Sequence, residues 1–439
     1  MLGRSGATVF ETLLIAGQGE VAKRVEQTCR RIGLDLASAE GIEGNAWHPS
    51  PDGILQAASR TGATAVHPGY VAPRARTEIA RAVFEKGLAF VGPSLTALEY
   101  IEDKPKMRDL ARELGLPVLP GTAAVEDPEE ARRAADELDY PLAIKSVAGT
   151  AALGLRLAED EDDFANAFAE AQAEANEHFG IAAMYLERWL EKPRQIEVTV
   201  VADMHGRRAT LGERECSLQR RSQVLVAESP SPLLAQCWDG ETKREVLSEA
   251  CLGLAEGIGL QGVATFEFLV DVEGVFYFLE ANADMHGATL VTEMLTGLDP
   301  IELQLEIAAG NPLGESARFR TNGHAFEVRV CAEDPSQGFS RDDNPVDSIQ
   351  FPPAAPSKVR IERAIEPGEA ATARAEPLVA RVATFAPIRH HALLRLDRTL
   401  AEASVEPVQS NLSFLRQVLG HEAFRAGQYD TGFAQRILR

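Results

Sequence analysis

The stretch from Thr265 to Glu280, continued through Asn282 to Thr289, constrains the fold more tightly than any other part of the chain. Aromatic and β-branched residues alternate on both sides of Asp271, Val272, Glu273 and Gly274, which predicts a β-hairpin closed by a short turn. A loop of two residues and a loop of four give the same parity, so Glu267 and Glu280 project from one face. As direct or diagonal partners they stand roughly 5 to 8 Å apart at Cβ. Two carboxylates at that spacing repel unless a cation lies between them, and Mg²⁺ bound partly through substrate phosphates would satisfy both. Asn282 adds a neutral oxygen on the same side. The competing reading is an exposed acidic face on an edge hairpin; the apolar residues between the carboxylates favour a buried site.

At 439 residues the chain has room for two or three domains with a large core. Its net charge of -22 argues against nucleic acid or an anionic membrane surface as a partner. Only eight residues are Lys; such an acidic, Lys-poor surface suits high salt, though Arg-favouring codons would produce the same bias. The five cysteines (Cys29, Cys216, Cys237, Cys251, Cys331) form no CxxC pair, which fits reduced thiols and a cytoplasmic location. No apolar run approaches membrane-spanning length, and Leu13 to Ala16 is too short for a signal-peptide core.

Taken in order, a strand from Thr12 to Ala16, a Gly turn and an amphipathic helix from Glu20 to Ile32 make an α/β opening. A helix from Ser94 to Leu114 carries Lys104, and Pro117 to Gly121 reads as a stiff linker. A smaller α/β unit follows: helix 128–138, strand 142–145 ending in Lys145, strand 155–157, helix 161–177 and strand 184–187. Strands 196–201 and 209–211, helix 243–258 and the opening hairpin begin the third segment. Lys145 ends an apolar strand, so its ammonium emerges at the strand's mouth, where a polyphosphate needs point charges. A solvated lysine is the ordinary alternative; the scarcity of Lys favours the functional reading.

The order Glu267, Glu280, Asn282, then Thr292 to Asp299, resembles the magnesium-binding hairpin of the ATP-grasp superfamily, specifically the biotin carboxylase family. Ala65 to Tyr70, Phe90 to Ser94, Tyr185 to Leu190, Glu213 to Arg221, Gly323 to Pro335 and the tail at Gln409 to Asn411 and Gln428 to Phe433 extend the resemblance over almost the whole chain. It implies an α/β (α+β) ATP-grasp fold with a Rossmann-like N-terminal domain and a C-terminal biotin carboxylase domain. The implied divisions are 1–94, a linker helix and lid over 95–195, an ATP-grasp core over 196–318, and 319–439. By the same resemblance Lys104, Lys145, Glu187, Leu190, Gln219, Glu267 and Glu280 hold ATP, and Glu267, Glu280 and Asn282 hold Mg²⁺, with Mn²⁺ as a substitute. Glu187 would accept a hydrogen bond from the adenine–ribose end.

The chain also departs from the family pattern. Asp284 stands where the family has Arg, Ala288 where it has Glu, and Val224 where it has the Lys that helps hold bicarbonate. The Gly-rich lid is reduced to Gly149 and Gly154, which hinders close approach of backbone N–H groups to phosphates. Arg329 is the one anion-holding residue of that pocket still in place. An added carboxylate about 4 Å from an oxyanion costs about 4 kcal/mol at an effective dielectric near 20, about a thousandfold in rate. The expectation is therefore a homologue that binds Mg-ATP but is impaired in carboxylating biotin, as a subunit of a biotin-dependent complex. The alternatives are an active biotin carboxylase of an acyl-CoA carboxylase, and an ATP-grasp ligase for another substrate that uses Asp284 and His286. No Ala-Met-Lys-Met motif occurs, so biotin would arrive on a separate carrier protein, with carboxyltransferase subunits as further partners. The resemblance also implies a homodimer.

Overall fold

The computed structural model describes residues 10–40, 42, 48–147, 154–283, 289–314, 322–355, 357–371 and 377–438. Three sheets carry the architecture. The first is four-stranded and parallel, in the order Asp35–Ala37, Thr12–Ile15, Ala65–His67, Ala89–Phe90. Leu14 and Val66 face a core shared with the rest of the molecule. Leu13 and Ala65 face the opposite way, onto the helix Pro300–Ala308, so both faces are covered as parallel sheets require. The Gly-x-Gly turn after the first strand serves packing: a Cβ on Gly17 would stand 2.6 Å from the Pro68 carbonyl oxygen.

The expected helix from Ser94 to Leu114 is two helices, Leu95–Ile101 and Lys104–Glu113. Asp103 breaks it, because its side chain caps the second helix by accepting from the Lys106 N–H, with Pro105 in the first turn. Lys104 therefore sits at a helix N-terminus, where the macrodipole disfavours a cation.

The lid unit is a three-stranded antiparallel sheet, Leu155–Ala158, Leu142–Ser146, Met184–Arg188. The helices Pro128–Leu138 and Glu161–Phe179 bury their alanines and Phe164 and Phe168 against it. Asp127 and Asp160 cap the two helices from their own side chains.

The third sheet has eight antiparallel strands, ordered Phe276–Asn282, Gly262–Val270, Arg194–Ala202, Arg208–Arg220, Gln223–Ser229, His324–Cys331, Leu378–Ala386, Val359–Arg363. It runs without a break across residues 196–318 and 319–439. Leu218, Leu225 and Val226 share a core with Phe326, Val328 and the C-terminal helices. The hairpin carrying Glu267 and Glu280 forms one edge of this sheet. Among the described residues no helix is long and apolar enough to cross a membrane.

Candidate functional site

Glu267 and Glu280 are direct cross-strand partners, but not by the expected parity: five residues, 271–275, separate the strands instead of two or four, and a one-residue register shift between Glu267 and Phe268 brings Glu280 opposite Glu267. A cation already stands beside them, since Lys104 Nζ is 2.9 Å from Glu280 Oε2. Burial works against the Lys104 ammonium, but Glu280, Tyr185 and Glu267 outweigh it and hold the group charged well beyond its ordinary range. Burial would likewise raise the Glu280 carboxyl; Lys104 and Lys145 bring it below the ordinary value. Glu267 goes the other way: burial and the carboxylates of Glu197 and Glu280 push it well up. Asn282 donates from Nδ2 to Glu267 Oε1 at 2.5 Å, and Gln195 Nε2 donates to Glu267 Oε2 at 2.7 Å. The Asn282 amide thus turns its nitrogen to Glu267, and rotation of the side chain is needed before its oxygen can face a cation.

Two carboxylates and one amide oxygen make a hard, partial coordination shell, and among the described residues no set of three His, Cys, Asp or Glu side chains is arranged to enclose a metal by itself. That donor set fits Mg²⁺ that keeps other oxygen ligands from a nucleotide, and does not fit a fully protein-caged ion.

The second lysine, Lys145, forms an ion pair with Glu187 across neighbouring strands of the lid sheet. The other Glu187 oxygen is held by Arg108, whose Nη2 also donates to the Leu119 carbonyl at 2.8 Å. Burial would raise the Glu187 carboxyl, yet Lys145 and Arg108 keep it below its usual value. Glu187 is only 3% exposed, so its carboxylate is spent on two cations of its own chain. Leu190 lies half-buried just past this strand, beside the exposed Trp189. Gln219 is buried and donates to Gln195 Oε1 at 2.6 Å, which ties it to Glu267 through one intervening amide.

Sequence reasoning missed Arg108, Gln195, Glu197 and Arg214. Arg108 could have been found: it lies one helical turn after Lys104, on the same helix face. Arg214 is fully buried, 2.8 Å from Glu197, and donates to Thr199 and to Thr292. It links the strand Arg194–Ala202, which pairs with the hairpin, to the helix Thr289–Thr296.

Arg329 is buried at the other end of this region, directly opposite Arg381 in the antiparallel ladder. Arg381 donates to Glu20 at 2.5 Å and stands 3.8 Å from Glu327. Glu327 accepts from the Leu290 N–H at 3.0 Å, and burial pushes its carboxyl up to about 7 against the pull of Arg381 and Arg329. Val224 pairs with Gln219 and packs with Val291 and Leu295. Asp284, His286, Ala288 and Gly149 lie outside the described residues. Gly154 is described: its φ is +69°, and its N–H donates to Glu174.

Comparison with known proteins covers nearly the whole chain. Residues 103–316 match the carbamoyl-phosphate synthase L chain, ATP binding domain; residues 327–436 match the biotin carboxylase C-terminal domain, and residues 43–98 the biotin carboxylase N-terminal domain. The biotin carboxylase of Halalkalibacterium halodurans is 35% identical, with 98% of each chain covered. Biotin carboxylase 1 of Bacillus subtilis is 34% identical over 97% of this chain and 98% of its own. Among solved structures, the biotin carboxylase domain dimer of Hydrogenobacter thermophilus 2-oxoglutarate carboxylase, in complex with MgADP, ADP and bicarbonate, superposes with a TM-score of 0.90 at 30% identity, covering 98% of this chain and 99% of that one.

Proposed function

This chain belongs to the biotin carboxylase family, and on that premise we propose that it binds a magnesium nucleotide between its two lysines and its carboxylate hairpin, as a component of a biotin-dependent carboxylase. The observation that carries the reading is the convergence of Lys104, Glu280 and Glu267 from a helix and a hairpin 160 residues and more apart in sequence. Lys104 and Lys145 would meet nucleotide phosphates. Glu267 and Glu280, with Asn282 turned, would hold the cation, whose chemistry when bound is to draw charge from the phosphate oxygens. Gln195 and Gln219 fix Glu267.

On the anion side the proposed protein is slow. Val224 places an apolar side chain where the family resemblance implies an ammonium, and Asp284 and Ala288 replace an arginine and a glutamate. Carboxylation of biotin passes through anions that need cations aimed at developing charge. The test is biotin-dependent cleavage of ATP in bicarbonate, beside calorimetry with MgADP. Nucleotide binding with little turnover is expected. Turnover equal to that of an ordinary biotin carboxylase refutes the impairment, and absence of nucleotide binding refutes the whole reading.

One observation favours the second reading, an active biotin carboxylase of an acyl-CoA carboxylase. Arg381 stands directly across from Arg329 on the neighbouring strand, so the region holds two buried guanidinium groups where the sequence alone offered one. The same turnover assay separates the two. For either, the proposed setting is cytoplasmic, with a biotin carrier and a carboxyltransferase as partners and a second copy of the chain as the dimer mate.

A further inference from the structure

Arg108 belongs to no motif, yet it occupies the junction of three structural units. It projects from the helix Lys104–Glu113, one turn beyond Lys104, so the two cations share a face. Lys104 reaches the hairpin at Glu280, while Arg108 reaches the lid sheet at Glu187. Between these walls runs the linker: Val118 bridges to Phe278 of the hairpin, Gly121 bridges to Glu187 of the lid, and Arg108 holds the Leu119 carbonyl between them. The guanidinium also lies over the Tyr185 ring, 5.6 Å from its centroid. Arg108 is 5% exposed and Glu187 3%.

This arrangement bears on a difficulty in the proposed use of Lys145. Lys145 is committed to Glu187. Moving the ammonium to a phosphate would leave a buried carboxylate, and a buried charge stripped of its partner is strongly unfavourable. A second counter-ion that stays behind removes that penalty. Glu187 has one: its two oxygens are divided, Oε1 to Arg108 and Oε2 to Lys145.

We propose that Arg108 is a positioning residue that keeps Glu187 neutralised, so that Lys145 is free to transfer from Glu187 to a nucleotide phosphate. This role rests on the reading that Lys145 serves the nucleotide. It assigns Glu187 to the handling of Lys145 and not to the adenine–ribose end, a reversal of what the sequence resemblance implied. The low-lying Glu187 carboxyl and the raised Lys145 ammonium agree with a strong pair that must be loosened by a third charge.

The experiment is calorimetric titration of MgADP into the full-length chain and its Arg108→Met, Lys145→Met, Glu187→Gln and Arg108→Met/Glu187→Gln variants, with thermal unfolding as a check on folding. Arg108→Met should weaken MgADP by about tenfold or more, because Lys145 becomes the sole partner of Glu187. Glu187→Gln alone should bind MgADP as well as the wild type or better, and adding it to Arg108→Met should restore affinity to within about threefold. A purely structural arginine would not be rescued by a second loss. If Glu187→Gln is as weak as Lys145→Met, Glu187 contacts the nucleotide itself and the role fails. If the double variant is as weak as Arg108→Met, the role also fails. Should Arg108→Met unfold, Glu187→Gln and the double variant decide, since neither leaves a buried carboxylate at position 187. Wild-type protein that binds no MgADP overturns the functional reading and this role together, a result distinct from either failure above.

Discussion

Replacing Lys104 with methionine should change the affinities for metal and for nucleotide in opposite directions. Lys104 Nζ lies 2.9 Å from Glu280 Oε2, where the Coulomb attraction is about 1.4 kcal/mol in bulk water and about 6 kcal/mol at an effective dielectric near 20. The pair is part-exposed, with side-chain exposures of 27% and 29%, so the interaction falls between those bounds. A divalent ion approaching Glu280 in the absence of nucleotide must displace the ammonium and forfeit that attraction. Lys104→Met removes the competitor, and binding of Mn²⁺ alone should tighten by about tenfold or more. MgADP binding should weaken, because the proposed phosphate contact of Lys104 is removed. Mn²⁺ titration followed by electron paramagnetic resonance, and calorimetry with MgADP, read the two effects separately. Unchanged Mn²⁺ affinity in the variant would show that Lys104 does not guard Glu280. Parallel losses of metal and nucleotide would point to general damage of the hairpin and refute the reasoning.

Three further outcomes follow from buried groups elsewhere. Burial would raise the Glu228 carboxyl, but Arg389 and His324 hold it at about 2 against an ordinary 4.5, and Tyr429 donates to it at 2.6 Å. Its folded value is depressed, so its contribution, about 3 kcal/mol, is complete above pH 4.5 and lost as pH falls toward 2; Glu228→Gln should be destabilised at pH 7 in urea unfolding, and the gap from wild type should shrink to roughly half or less by pH 3 and close only as pH approaches 2. Glu327 has the opposite sign: burial raises it to about 7 from 4.5, so its contribution is full below pH 4.5 and about 3 kcal/mol is lost by the time pH has risen through 7. Glu327→Gln should flatten the stability profile over that window, and a slope unchanged from wild type would rule the assignment out. A Cβ at Gly121 would stand 2.7 Å from the Leu186 carbonyl oxygen and 3.0 Å from Arg108 Nη2; Gly121→Ala should lower stability by about 1–3 kcal/mol and weaken MgADP, and normal values of both would show that the linker has room to move.

How much of this was legible beforehand depends on the range of the interaction involved. The hairpin and its two glutamates were legible from the alternation, but strand parity alone did not make them face each other: an odd loop and a one-residue register shift between Glu267 and Phe268 did, whereas the helix at 20–32 followed from its amphipathic periodicity and the helix at 128–138 lies within its expected bounds. The helix predicted over 94–114 was broken by Asp103 and Pro105, a signal present in the sequence but outweighed by the surrounding pattern. The motif at Glu213 to Arg221 was recognised, yet the fully buried position of Arg214 within it was not, because burial is set by what folds over a strand.

By itself the sequence determined the family, the hairpin that carries two carboxylates, and the residue types available for a phosphate and a cation; the register shift that sets the carboxylates opposite each other belongs to the structure. Which cation meets which carboxylate was decided only in three dimensions. Arg108 and Glu187 lie 79 residues apart, and Lys145 and Glu187 42; nothing in their local surroundings marks them as partners. Charges act through space with a strength set by separation and burial, and both quantities come into existence only when the linker draws the helix, the hairpin and the lid sheet together.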